Sequence, residues 1–131
     1  MAHRRYGMTV VALRLPFVGT VDDRLHWGAR LYAEEPGAGA ADVWSYLDVR
    51  DAARALLASL DPARPGNHVV YVAAPETLSP YPTEGLLERY HAGVPRPAYS
   101  GRTVPIDLDP AFDLLGFRAW YSWPIDEREL P

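Results

Sequence analysis

The sequence predicts an α/β fold with a parallel sheet. Two short runs, 9–15 and 68–73, are rich in Val and do not alternate cleanly between apolar and polar residues, which is typical of strands covered on both faces. Between them, the stretch 51–60 has apolar residues at the spacing of one helical face. The short strand expected at 43–49, this helix and the strand at 68–73 follow one another in that order, which favours a parallel α/β sheet. The length of 131 residues predicts a single domain over 1–131.

The first half of the chain is expected to contain two strands separated by a long loop. The first strand covers Thr9–Leu15 and is ended by Pro16. The stretch 22–43 shows no sustained apolar period and is expected to be a loop. Within it, Gly37–Gly39 lacks the third glycine and the preceding strand of a dinucleotide-binding loop, so it is interpreted as a flexible segment. A short strand is expected at Val43–Val49.

The most regular helix pattern follows this second strand. Asp51 is the expected N-cap, because its side chain can accept from a free backbone N–H of the first turn. The apolar residues lie at i, i+3, i+4 and i+7, and one buried stripe is predicted from them: Ala53, Leu56, Leu57 and Leu60.

Two further helices are predicted to end at glycines. One begins at the expected cap Thr83 and ends before Gly93, and the other begins at the expected cap Asp109 and ends before Gly116. Glycine adopts the left-handed conformation that commonly follows the last helical turn. The buried side of the earlier helix is expected to hold Leu86, Leu87 and Tyr90.

Composition excludes several classes of site. The chain has no Cys and no Lys, which excludes disulfides, thiolate metal sites, Schiff bases and the phosphate-binding lysine of nucleotide loops. The net charge of −4 argues against nucleic-acid binding. The four His residues lack the spacing of a helical metal pair, so no metal is expected. No apolar run reaches the ~18 residues of a membrane span, and a cytoplasmic protein is expected.

A charged cluster lies where the second strand meets the first helix. It consists of Asp48, Arg50, Asp51 and Arg54. One interpretation is a catalytic carboxylate. The favoured interpretation is that these residues cap the helix and pair with one another.

Three aromatic residues lie in and beside the expected loop. Trp27, Tyr32 and Trp44 can stack on the ring of a ligand, because aromatic side chains on a loop offer a flat apolar face. They can equally pack the loop onto the protein. The sequence leaves these two interpretations open.

Four segments together resemble one enzyme family. They occur in the family's order at 8–19, 44–55, 70–79 and 114–123, and Tyr46–Arg54 (YLDVRDAAR) is the most specific of them. They are similar to the C-terminal part of extended short-chain dehydrogenases/reductases, the NAD-dependent epimerase/dehydratase family. The resemblance implies a partial Rossmann-like parallel sheet, made of its last strands, together with the substrate-binding portion.

The resemblance also implies what this sequence lacks. Family members carry a glycine-rich dinucleotide loop and a Tyr-x-x-x-Lys pair before the matched region, and neither motif is present in the 131 residues. The chain is therefore expected to be a truncated form without redox activity of its own, and whether it is an enzyme is left open. Full-length relatives use NAD or NADP, whereas no cofactor is expected for this chain alone.

Site residues follow from the resemblance and from the aromatic set. The family's cofactor and substrate pocket is lined by the segment that matches Pro16, Phe17, Val18 and Gly19, which follows Arg14. Trp27, Tyr32 and Trp44 are the candidate substrate-binding residues.

The expected function is to bind the substrate of an epimerase/dehydratase-like oxidoreductase, with a sugar nucleotide or similar small molecule as ligand. The alternatives are a standalone non-redox isomerase or dehydratase and a ligand-binding module. The unpaired edge of the first strand is expected to join a second copy, or a chain that bears a Rossmann domain.

Overall fold

The computed structural model describes residues 2–131, which form helices and short strands. In chain order these elements are α1 (Ala2–Tyr6), β1 (Val10–Arg14), β2 (Phe17–Gly19), α2 (Arg24–Glu34), a 3-10 helix (Pro36–Asp42), β3 (Tyr46–Asp48), α3 (Val49–Ala58), β4 (Asn67–Tyr71), α4 (Thr83–Tyr90) and α5 (Asp109–Leu115).

The strands form two parallel pairs. β1 pairs with β4, with Val10 opposite Asn67 and Arg14 opposite Tyr71. β2 pairs with β3, with Phe17 opposite Tyr46. Each pair is joined by a crossover that contains helix, as parallel strands require. The predicted α/β class with parallel strands is therefore confirmed. The strands predicted at 9–15 and 68–73 are also confirmed as β1 and β4, with differences at their end residues.

The expected loop over 22–43 is wrong, because α2 and the 3-10 helix occupy nearly all of it. The buried positions of α2 are Leu25, Gly28 and Tyr32, which do follow a helical stripe. Because Gly28 has no side chain, the stripe does not appear when apolar side chains are counted along the sequence. A Cβ at this position would lie 2.9 Å from both Leu78 and Phe17, so glycine is what lets the helix approach them.

The segment Gly37–Gly39 is also not the flexible loop expected, since it lies within the 3-10 helix. Gly39 is buried, and a Cβ there would lie 2.3 Å from Cδ1 of Trp44. The absence of a side chain at Gly39 therefore lets the indole ring of Trp44 approach the backbone.

Helix α3 begins earlier than expected and buries a different face. Its N-cap is Asp48, whose Oδ1 accepts from the backbone N–H of Arg50 at 2.8 Å. The predicted stripe is wrong, because Ala53 is exposed and three leucines keep much of their surface: Leu56 (54%), Leu57 (68%) and Leu60 (81%). The buried residues are instead Asp51, Ala52 and Ala55. Small side chains let this face lie close to its neighbours, which a count of large apolar residues does not detect.

The remaining predictions differ from the structure mainly at element ends. Of the strand expected at Val43–Val49 only Tyr46–Asp48 is extended and paired. Helix α4 buries Leu86 and Leu87 but leaves Tyr90 half-buried.

The predicted helix caps are wrong at both later helices. The Thr83 hydroxyl does not cap α4 but donates to the carbonyl of Thr103 at 2.8 Å. Asp109 is the first residue of α5, whose N-cap position is Leu108. Gly116 ends α5 with φ 62°, which confirms the predicted glycine stop.

Two apolar clusters hold these elements together. One packs α2, β3 and α4 around the fully buried Trp44. The other packs α3 and α5 against the face of the β1–β4 pair that carries Leu13 and Val70. The opposite face of this pair keeps Val69 and Tyr71 exposed. No helix within residues 2–131 is long and apolar enough to cross a membrane.

Candidate functional site

A cleft of about 500 Å³ lies at the carboxyl ends of β1 and β4. β1 contributes Arg14 and the two residues after it, Leu15 and Pro16, and β4 contributes Tyr71. The opposite wall comes from the end of the 3-10 helix and the turn after it. Ligands in open α/β folds bind beyond the carboxyl ends of parallel strands, so this cleft is the candidate site.

Arg14 and Tyr71 form one side of the cleft. They are register partners in the β1–β4 pair. Nη1 of Arg14 donates to the Tyr71 hydroxyl at 2.6 Å, and the guanidinium carbon lies 5.2 Å from the centre of the Tyr71 ring. None of the salt bridges within residues 2–131 involves Arg14. Its guanidinium thus supplies further N–H donors and a positive charge to a ligand.

Asp42 provides the carboxylate of the opposite wall. The Tyr32 hydroxyl, 3.4 Å away, donates to its Oδ2. Its Oδ1 is buried and has no hydrogen-bond partner among the described residues. Burial raises the pKa of the Asp42 carboxyl above its ordinary value. Burial, followed by the charge of Asp42, raises the pKa of Tyr32 to about 12. The tyrosine therefore keeps its proton and remains a hydrogen-bond donor to the carboxylate.

The turn after Asp42 is held in an unusual backbone conformation. Val43 and Trp44 both have positive φ, at 51° and 55°. Residues other than glycine rarely adopt this left-handed region, and β-branched residues such as Val adopt it least often. Holding such a residue there costs about 1–3 kcal/mol of conformational free energy. The turn is secured by Ser45, whose hydroxyl donates to the carbonyl of Asp42 at 2.6 Å. The strained turn thus holds Asp42 at the wall of the cleft.

Only the first of the four predicted cofactor-contacting residues lines the cleft. Pro16 lies at its edge, whereas Phe17, Val18 and Gly19 form β2. The ring of Phe17 lies below the guanidinium of Arg24, 5.1 Å away, and Val18 packs against the α3–α5 cluster. Gly19 is buried in the strand.

The three predicted substrate-binding aromatics lie in different environments. Trp44 is fully buried and its Nε1 donates to the carbonyl of Pro36, so its ring packs the segment down and offers no surface to a ligand. Tyr32 is also buried and reaches the cleft only through Asp42. Trp27 lies on α2 with 59% of its surface exposed, 6.3 Å from the ring of Phe17.

The residues of the charged cluster cap α3 and form ion pairs with one another, which confirms the favoured interpretation. Asp48 accepts from the side chain of Arg50 at 2.8 Å, and Arg50 holds the pKa of Asp48 below its ordinary value. Asp51 pairs with Arg54. Its Oδ2 also accepts from the backbone N–H groups of Trp120 and Tyr121, at 2.9 and 2.8 Å. Asp51 is therefore not the N-cap but the anchor of the C-terminal segment.

Sequence reasoning missed four polar residues of the cleft: Asp42, Ser45, Tyr71 and Asp107. Tyr71 was detectable, since it lies at the carboxyl end of a predicted parallel strand. Asp42 ends the 3-10 helix, and Ser45 and Asp107 lie outside the helices and strands, so the positions of all three depend on the packing around them. Within residues 2–131 no three His, Asp or Glu side chains gather in a group that could hold a metal ion.

Comparisons with protein-family models, with curated proteins and with solved structures found no match to this chain.

Proposed function

We propose that this chain supplies the substrate-binding part of an NAD(P)-dependent epimerase/dehydratase-like oxidoreductase. The observation that carries the proposal is the position of the cleft. It lies beyond the carboxyl ends of the parallel strands β1 and β4, and Arg14 to Pro16 line it. The resemblance implies a pocket at Pro16 to Gly19, and Pro16 of that segment lines this cleft. A partial Rossmann-like sheet, of which β1 and β4 would be the last two strands, is part of the proposal.

The chemistry of the cleft supports binding rather than hydride transfer by this chain. It offers a guanidinium, a carboxylate, a tyrosine ring and hydroxyl groups, which suit a ligand that carries both an anionic group and hydroxyls. A sugar nucleotide has these features. The sequence contains no lysine that could complete a Tyr-x-x-x-Lys pair, so we expect no reduction of NAD or NADP by this chain alone.

Thermal unfolding in the presence of NAD(H), NADP(H) and nucleotide sugars tests the proposal. A ligand present at a hundred times its dissociation constant stabilises the fold by about 2.7 kcal/mol. We expect a nucleotide sugar to raise the melting temperature, and Arg14→Gln to abolish that rise.

Arg30→Gln is the matched control. Arg30 is exposed on α2 and pairs with Glu34 of its own helix. This variant should respond to the ligand as the unmodified chain does. No rise with any nucleotide sugar, or turnover of NAD by the purified chain, would contradict the proposal.

A second candidate is a standalone non-redox catalyst of the isomerase or dehydratase type. It is favoured by the Asp42–Tyr32 pair, in which a carboxyl of raised pKa lies at the wall of the cleft. Such a group can accept and return a proton next to a carbonyl. Incubation with a 4-keto sugar nucleotide in D₂O distinguishes the candidates, because only the catalyst would introduce deuterium next to the carbonyl, and Asp42→Asn should stop it.

A further inference from the structure

A small apolar pocket adjoins the candidate site at the carboxyl end of β4. Tyr71 and Val72 line both the cleft and this pocket. Residues 105–107 line the cleft, and the next residue, Leu108, lines the pocket. The pocket has a volume of about 90 Å³. Much of its remaining wall comes from α5 and the segment after it: Ala111, Phe117, Arg118 and Ala119. The cleft and the pocket therefore share a border at Tyr71.

The pocket suits an apolar group of limited size. Arg118, the charged residue of its lining, has partners of its own, because its guanidinium carbon lies 4.2 Å from the centre of the Phe112 ring and its Nη2 lies 3.6 Å from Oδ1 of Asp109. A polar group would lose hydrogen bonds to water in this pocket, whereas an apolar group gains by leaving water. An apolar cavity of about 150 Å³ holds benzene, so a pocket of about 90 Å³ has room for about three or four carbon atoms.

Arg14 supplies the charged end of the same surface. Its Nη1 donates to the Tyr71 hydroxyl at 2.6 Å, so the guanidinium lies at one end of the residue that borders both cavities. The guanidinium has further N–H donors, which suit a phosphate or a carboxylate. A ligand that spans the two cavities therefore needs an anionic group and an apolar group, separated by about the length of a tyrosine side chain.

We infer that the ligand held by Arg14 carries a short acyl or alkyl group that occupies this pocket. The inference rests on the proposed function for the position of the anionic group, and it narrows the substrate class to an acylated amino sugar. In the 1-phosphate of such a sugar, the acyl methyl group lies about as far from the phosphorus as the end of a hexyl chain does. Both kinds of molecule therefore serve as probes.

Hexyl phosphate and inorganic phosphate test the two ends of the site, because they differ only in the alkyl chain. Each carbon atom that leaves water strengthens binding by about fourfold, and ordering the chain offsets part of this gain. We expect hexyl phosphate to bind at least about tenfold more tightly than inorganic phosphate in calorimetric titrations. It should also shift the backbone amide signals of Ala111 and Ala119, which inorganic phosphate should leave unchanged. Arg14→Gln should weaken the binding of both probes.

Ala119→Leu fills the pocket and removes the space for the chain. Ala119 is half-buried in the lining, and leucine adds about three carbon atoms, close to the capacity of the pocket. This variant should bind hexyl phosphate no more tightly than inorganic phosphate, with the affinity for inorganic phosphate within about twofold of that of the unmodified chain. If Ala119→Leu does not fold, the amide shifts of Ala111 and Ala119 in the unmodified chain decide the matter.

Ala53→Leu is the matched control. It makes the same substitution at an exposed position of α3, outside the pocket, and should bind both probes as the unmodified chain does. No gain for hexyl phosphate over inorganic phosphate, or the same loss of that gain in both Leu variants, would overturn the inference.

N-acetylglucosamine 1-phosphate and glucose 1-phosphate test the substrate class. We expect the acetylated sugar to bind about fourfold more tightly, because its methyl group leaves water, and Ala119→Leu should remove the difference. Equal affinities of the unmodified chain for the two sugar phosphates would overturn the assignment to an acylated sugar. If hexyl phosphate shows its gain but no sugar phosphate or nucleotide sugar binds, the proposed function fails and the apolar site stands.

Discussion

At the scale of single residues, the two tryptophans of the predicted aromatic set have separate roles. Trp44 is fully buried in the cluster of α2, β3 and α4, and Trp27 is largely exposed. Trp44→Ala should lower the free energy of unfolding by about 3–5 kcal/mol, because it leaves a cavity. Trp27→Ala should lower it by less than about 1 kcal/mol. Urea denaturation of both variants checks this, and equal losses would show that the exposed indole is also structural.

Asp42 makes stability depend on pH in a predictable direction. Burial raises the pKa of its carboxyl in the folded state, so its contribution to stability is fully present below the pKa of the unfolded chain. That contribution is lost as the pH rises through the higher folded value. Asp42→Asn should therefore stabilise the protein relative to the unmodified chain at pH 8, and by less at pH 3.5.

Chemical denaturation at the two pH values measures this difference. Asp22→Asn is the control, because Asp22 is exposed and lies outside the cleft. A gain for Asp42→Asn that is the same at both pH values would show that ionisation of Asp42 is not its cause.

At the scale of elements, Asp51 links α3 to the C-terminal segment. Its buried carboxylate pairs with Arg54 and accepts from the N–H groups of Trp120 and Tyr121. Asp51→Ala should lower the free energy of unfolding by about 3 kcal/mol, because it leaves the two N–H groups and the Arg54 guanidinium without their buried acceptor.

Hydrogen exchange identifies the cause of that loss. The amides of Trp120 and Tyr121 should exchange faster in Asp51→Ala, whereas the β1–β4 amides should change only through global unfolding. Asp113→Ala, at an exposed carboxylate of α5, is the control and should leave all of them unchanged. Undiminished protection of the two amides in Asp51→Ala would contradict the anchoring role.

At the scale of the whole molecule, the β1–β4 pair has an open edge. The N–H of Val10 and the carbonyl of Arg14 are bonded on the β4 side, to Gly66 and Val72. Because groups alternate along a strand, the N–H and C=O groups of Val11 and Leu13 point to the other side. No strand within residues 2–131 pairs with β1 there.

We therefore expect this chain to form a homodimer through the β1 edge, since an open strand is a template for another. Sedimentation at micromolar concentration should give the mass of a dimer. Ala12→Lys, at an exposed position of β1, should reduce the measured mass to that of a monomer. When β1 of one copy pairs symmetrically with β1 of another, the two added charges lie close together and repel.

Leu57→Lys is the control for this experiment. It adds the same charge at an exposed position of α3, away from the strand edge. This variant should leave the dimer intact. A monomer with a cooperative melt for the unmodified chain would contradict the proposed dimer.

The sequence by itself determined the features that depend on local preference. Runs rich in β-branched residues located β1 and β4. The order strand, helix, strand over 43–73 predicted a parallel sheet, although β4 pairs with β1 and not with the strand after residue 43. Gly116 ends α5 because glycine enters the left-handed region without a steric penalty. Leu86 and Leu87 are buried as their spacing predicts, because α4 packs only one face.

Only the tertiary structure decided which face of each helix is buried and which residues come together in the cleft. Helix α3 buries Ala52 and Ala55 instead of its leucines because small residues and the anchor at Asp51 hold it against its neighbours. The buried stripe of α2 includes Gly28, whose role is evident only beside the Leu78 side chain and the Phe17 ring that it approaches. The cleft joins Arg14, Asp42 and Tyr71, which are far apart in sequence. Strand register and a strained turn bring them together, and neither is encoded in a pattern of neighbouring residues.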